Sequence, residues 1–110
     1  MNSINEITEG FLEEATHDSI GLWAICDAVR WDLGLTNDEE VKTRSLDVMR
    51  SLIDRGLWPG NFKGGKTFVF WDLPDAAACL ARIDTEWDAA RGDPPGLDAI
   101  CWFRSKQRQS

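Results

Sequence analysis

The sequence is poor in the residues on which catalysis and metal binding most often depend. Its single histidine, His17, lies in the polar stretch Thr16-His17-Asp18. A metal site built on that imidazole would need carboxylates for nearly every other ligand, so His17 reads as a surface residue and no metal is expected. Three cysteines, Cys26, Cys79 and Cys101, stand far apart and form no CxxC pair. An odd number at wide spacing argues against a disulfide framework or a thiolate zinc site and suits a reducing cytoplasm. The first residues carry neither a basic nor an apolar segment, so no secretory signal is expected. No apolar run nears the ~18–20 residues of a membrane span. Signatures of the GxSxG, HExxH, P-loop and GxGxxG types do not occur. Gly60, Gly64 and Gly65 are loop glycines, but Gly65-Lys66-Thr67 leads toward a strand rather than a helix, which removes the phosphate-loop reading. Cys26 falls on a stripe predicted to be buried, where a thiol is inert. No catalytic residue and no cofactor is therefore expected.

What is present fits one soluble domain over residues 1–110, since domains cluster near roughly 100–150 residues. Hydrophobic residues are 43% and charged residues 28% of the chain, which is ordinary globular usage. Acids outnumber bases 19 to 12, for a formal charge of -7. That excess is one-sided. Residues 1–54 hold 12 acids and 4 bases, a charge of -8, while residues 55–110 hold 7 acids and 8 bases, a charge of +1. An acidic half repels nucleic acid and anionic membranes.

Apolar spacing predicts the elements. Ile4, Ile7, Phe11 and Leu12 mark a helix over 4–15, with Gly10 counting against it. Leu22, Cys26, Val29 and Leu33 step by four, three and four in a helix capped by Asp18 or Ser19 and stopped at Gly34. The helix over 36–55 carries the strongest signal. Thr36 and Glu39 form a capping-box pattern, Asp38, Glu39 and Glu40 favour the positive end of the dipole, and Gly56 is a good terminator. Residues 57–71 alternate around Gly64-Gly65 as a β-hairpin, with Pro59 making the first arm short or an edge. Ala76, Leu80, Ile83 and Trp87 form the stripe of a further helix ending near Gly92. Residues 97–103 lean to a short strand, and 104–110 read as a frayed basic tail. The fold class predicted is α+β, mainly helical: a winged-helix-like three-helix core, a hairpin and an additional C-terminal helix.

In a winged helix the third helix enters the DNA major groove by its leading turn. Here that turn is Asp38-Glu39-Glu40, which phosphates would repel, so nucleic acid is not the expected partner. The same acids, with Glu13 and Glu14, suit a basic protein. Six tryptophans cannot all be fully buried when a chain of this size removes about two thirds of its surface from water. Trp58, Trp71 and Phe62, in and around the hairpin, are either packing residues or interface anchors. The candidate interface is thus Glu13, Glu14, Asp38, Glu39, Glu40, Trp58, Phe62 and Trp71. Two other readings stay open. A winged-helix regulator would need Arg50, Arg55, Lys63, Lys66 and Arg82 on one face. A homodimer would pair the hairpin with its own copy through an exposed edge.

Ser19-Ile20-Gly21-Leu22-Trp23, Val29-Arg30, the capped helix ending Leu52-Ile53-Asp54-Arg55-Gly56-Leu57, and Asp98-Ala99-Ile100-Cys101-Trp102 together resemble a group of small acidic bacterial proteins. In size, charge and element order the chain is similar to immunity proteins of contact-dependent growth inhibition and related polymorphic toxin systems. The resemblance implies a cytoplasmic, non-enzymatic protein that binds and blocks a toxin domain, often a nuclease. It assigns no residue by position, so the candidate interface rests on the charge and aromatic argument alone.

Overall fold

The computed structural model describes residues 3–90 and 99–106. Their chain order is α1 (Ile4–Glu14), β1 (Ile20–Gly21), α2 (Leu22–Asp32), α3 (Asp38–Asp54), β2 (Leu57–Lys63), β3 (Thr67–Phe70), α4 (Ala76–Ala90) and β4 (Trp102–Ser105). The α+β, mainly helical class and the winged-helix order of three helices followed by a hairpin and a fourth helix are both present.

Local chemistry sets the helix ends, though not always at the residues expected. Ser3 caps α1. Its hydroxyl accepts from the Glu6 N–H at 3.2 Å, while the Glu6 carboxylate accepts from the Ser3 N–H at 3.1 Å. The capping box expected at Thr36 and Glu39 is not formed. Asn37 is the cap of α3 instead, its side-chain oxygen accepting from the Glu40 N–H at 3.0 Å, so the helix starts one residue later. Gly56 follows α3 with φ 108°, a conformation only glycine adopts freely. The helix expected from Asp18 or Ser19 begins only at Leu22, because Ile20 and Gly21 pair with Phe103 and Trp102 as β1. A partner more than eighty residues away thus displaces the local cap. α4 opens at Asp75, whose carboxylate accepts from the Ala78 N–H at 2.9 Å. It buries Cys79, Ile83 and Trp87, as its apolar stripe predicts.

The sheet is antiparallel, in the order β1-β4-β2-β3. Three sequence expectations fail here. Arg104 and Ser105 belong to β4 rather than to a frayed tail, and residues 99–100 are helical rather than part of the strand. Residues 107–110 and 91–98 lie outside the described residues, and with them the rest of the tail and the predicted helix end. β2, expected to be short or an edge because of Pro59, is a seven-residue inner strand between β4 and β3.

The sheet tolerates that proline for a specific reason. The Trp71 N–H donates to the Pro59 carbonyl at 2.9 Å, so residue 59 turns its backbone groups toward β3. In an antiparallel narrow pair the missing Pro59 N–H would have bonded the Trp71 carbonyl. The Trp58 indole N–H donates to that carbonyl instead, at 3.0 Å. A side chain one residue away thus supplies the donor that proline lacks.

The core lies between the helices and one face of the sheet. Leu22, Ile25 and Val29 of α2, Val41, Val48, Met49 and Leu52 of α3, Ile83 of α4 and Phe103 of β4 are almost wholly buried there. Lys42 ties α3 to α4 by ion pairs to Asp84 and to Asp88, the latter at 2.6 Å. Burial alone would lower the pKa of Lys42; the two carboxylates more than offset it and raise it. The other face of the sheet carries a small aromatic cluster. Phe62 meets Phe68 and Trp102 edge-on at 5.3 and 5.7 Å, and Phe68 meets Phe70 at 5.0 Å. The Arg104 guanidinium lies 4.7 Å from the Phe68 ring and donates to the Ser19 hydroxyl at 2.9 Å.

Candidate functional site

The three acids at the start of α3 remain at the surface. Asp38, Glu39 and Glu40 are all exposed. Asp38 accepts from the Arg30 guanidinium of α2 at 2.8 Å, which fixes the leading turn of α3 against the end of α2. Glu13 and Glu14 are exposed at the other end of the acidic sequence, on the last turn of α1. Glu14 shares a shallow depression with Glu6 and Asp32, floored by Ile7, Gly10, Phe11 and Ala28. α2 therefore stands between the two acidic groups, with Asp32 beside Glu14 and Arg30 on Asp38.

α2 also carries an exposed aromatic residue outside the eight candidates. Trp31 is 73% exposed, the most exposed large hydrophobic side chain among the described residues. Its indole N–H donates to the Asp27 carboxylate at 3.0 Å, one turn earlier. Trp23 is 44% exposed two turns from Trp31 on the same flank of the helix. Both fall outside the buried stripe of Leu22, Ile25, Cys26 and Val29. The signal was available: each lies off the predicted stripe, where a tryptophan has no core to enter.

Of the two readings open for the hairpin aromatics, Trp71 takes the packing one. Trp71 is buried and donates its indole N–H to Asn61 Oδ1 at 2.6 Å, while Asn61 Nδ2 donates to the Ile100 carbonyl at 2.9 Å. This chain of bonds pins the hairpin to the segment before β4, so Trp71 is a packing residue. Trp58 is half-buried and committed to the Trp71 carbonyl. Phe62 is 37% exposed but sits within the aromatic cluster of the sheet. Of the eight candidates, the five acids are accessible and Trp71 is not.

The bases required by a nucleic-acid interface are mostly engaged. Arg50 lies 3.9 Å from Asp54, Arg55 pairs with Glu9 at 2.9 Å, and Arg82 pairs with Glu86 at 2.6 Å. Arg82 also lies over the Trp71 ring at 3.8 Å. Lys63 and Lys66 flank the hairpin tip, where Gly64 and Gly65 adopt φ of 64° and 77°.

Burial pushes the Cys26 and Cys79 thiols above their ordinary range, which keeps them protonated; Arg30 opposes this at Cys26, and Asp27 and Asp38 reinforce it. Cys101 is buried too. Among the described residues no group of three or more His, Cys, Asp or Glu side chains could hold a metal ion, and no helix is long and apolar enough to cross a membrane. Comparison with protein-family models, with curated proteins and with solved structures finds no match to this chain.

Proposed function

We propose that the chain is a non-enzymatic binding protein that neutralises a basic toxin domain, a nuclease being the partner whose charge suits it best. It would act in the cytoplasm, where three cysteines outside any disulfide are stable. One observation carries the reading: Asp38, Glu39 and Glu40 stand exposed at one end of α3, next to the helix whose Trp31 is 73% exposed. Carboxylates steer a cationic surface into contact, and a protruding tryptophan supplies the apolar anchor that holds it. The ion pairs of Arg50, Arg55 and Arg82 count against the nucleic-acid alternative, because each base already has a carboxylate.

The test pairs this protein with the C-terminal domain encoded by the gene directly upstream, by size exclusion with light scattering. A 1:1 complex is expected. Its association rate should fall with salt and with the triple change of Asp38, Glu39 and Glu40 to lysine, whereas Trp31→Ala should raise the dissociation rate. Two separate peaks remove that neighbour as a direct partner. Native affinity in the triple variant removes the start of α3 from the interface.

A further inference from the structure

β3 is an edge of the sheet, and among the described residues nothing pairs with its outer side. It reads Thr67-Phe68-Val69-Phe70, without charge, proline or bulge. Edge strands ordinarily carry one of these to prevent pairing. The register shows which backbone groups are free. Trp71 turns its N–H to Pro59 in β2, so by alternation Val69 and Thr67 also face β2. The N–H and C=O of Phe68 and Phe70 point outward.

We infer that this edge pairs antiparallel with the β3 of a second copy, about a two-fold axis at Val69. In that register Phe68 lies opposite Phe70 of the second copy, and the converse. Every outward backbone group of both residues is then bonded. A register centred on Phe68 or on Phe70 would bond only one of the two strand residues to its counterpart. Charge selects the same register. Carried outward along the strand, it sets Lys66 opposite Asp72 of the second copy, and the two-fold repeats that pair. Both side chains are exposed, and neither has an ion-pair partner among the described residues. Val69, 45% exposed, meets its own copy at the closely spaced central position, while the Phe68 and Phe70 rings extend the aromatic cluster across the boundary. The contact is short, so the dimer forms reversibly with concentration. It uses none of the acidic residues of the proposed toxin-binding face, and the two ideas stand or fall separately.

Sedimentation equilibrium of the full chain over a wide concentration range tests it. The apparent mass should rise from 12.4 kDa toward twice that value. Val69→Lys sets like charges face to face at an exposed position and should hold the protein at the monomer mass. Lys66→Asp or Asp72→Lys alone should weaken association about tenfold, and the two together should restore it, since opposed charges on facing strands attract and like charges repel. A mass of 12.4 kDa at every concentration overturns the proposal. So does self-association that ignores both charge reversals, because the register would then be wrong.

Discussion

Replacing Gly60 by alanine sets packing against backbone propensity. A Cβ on Gly60 would run into the Val69 carbonyl oxygen and lie 2.7 and 2.9 Å from two atoms of the Phe68 ring, where ordinary contact begins near 3.4 Å. Propensity alone favours alanine over glycine in a strand by about 0.5–1 kcal/mol. Overpacking costs about 1–3 kcal/mol. The nearest obstacle is backbone, so relief must also open the β2–β3 ladder by roughly one hydrogen bond, about 1 kcal/mol. The balance is a loss of about 1–3 kcal/mol, which for a domain of this size lowers the Tm by roughly 4–12 °C. Gly10→Ala is the control. A Cβ at Gly10 meets no atom within 4 Å. Inside α1 it should stabilise by about 0.5–1 kcal/mol. Urea titration followed by circular dichroism measures both. The reasoning fails if Gly60→Ala matches or exceeds the native protein in stability, which is what propensity alone predicts.

Two further outcomes follow from the interior. Trp58→Phe leaves the Trp71 carbonyl without its donor and should cost about 1–2 kcal/mol. In a Pro59→Ala background the main-chain N–H returns, so the same change should cost measurably less; an equal cost in both backgrounds would refute the substitution of indole for backbone. The three buried thiols should resist a disulfide reagent at neutral pH and react together only when urea unfolds the chain. Fast labelling of Cys26 or Cys79 in native protein would show that burial does not control its reactivity.

The helices were legible because their signals are local. Val41, Met49, Leu52 and Ile53 give α3 its buried face, and the Ala76 to Trp87 stripe gives α4 its own. Glycines at 64 and 65 located the hairpin tip. What the sequence hid depends on distant partners. Ile20-Gly21 is a strand only because Phe103 and Trp102 come alongside, and two residues leave no periodicity to read. Pro59 suggests an edge until the Trp58 indole is seen to replace its N–H. Asn37 and Thr36 are both good caps, and spacing alone does not choose between them. For the candidate surface, charge located the acids. Periodicity also places Trp31 off the buried stripe of α2, whereas no local pattern tells that the Trp71 indole is bonded to Asn61.

The position of β4 orders the folding of the chain. The strand formed last in the sequence occupies an inner place in the sheet, touching β1 near residue 20 on one side and β2 near residue 58 on the other. During synthesis the first three helices and the β2–β3 hairpin can assemble from near neighbours. The sheet cannot close until Ser105 has emerged. Until then β1 has no partner, the inner side of β2 is bare, and the space that Phe103 fills is empty. Long-range pairings of this kind close late and leave strand edges open in the meantime, so the β1–β4 and β2–β4 ladders depend on the last described strand.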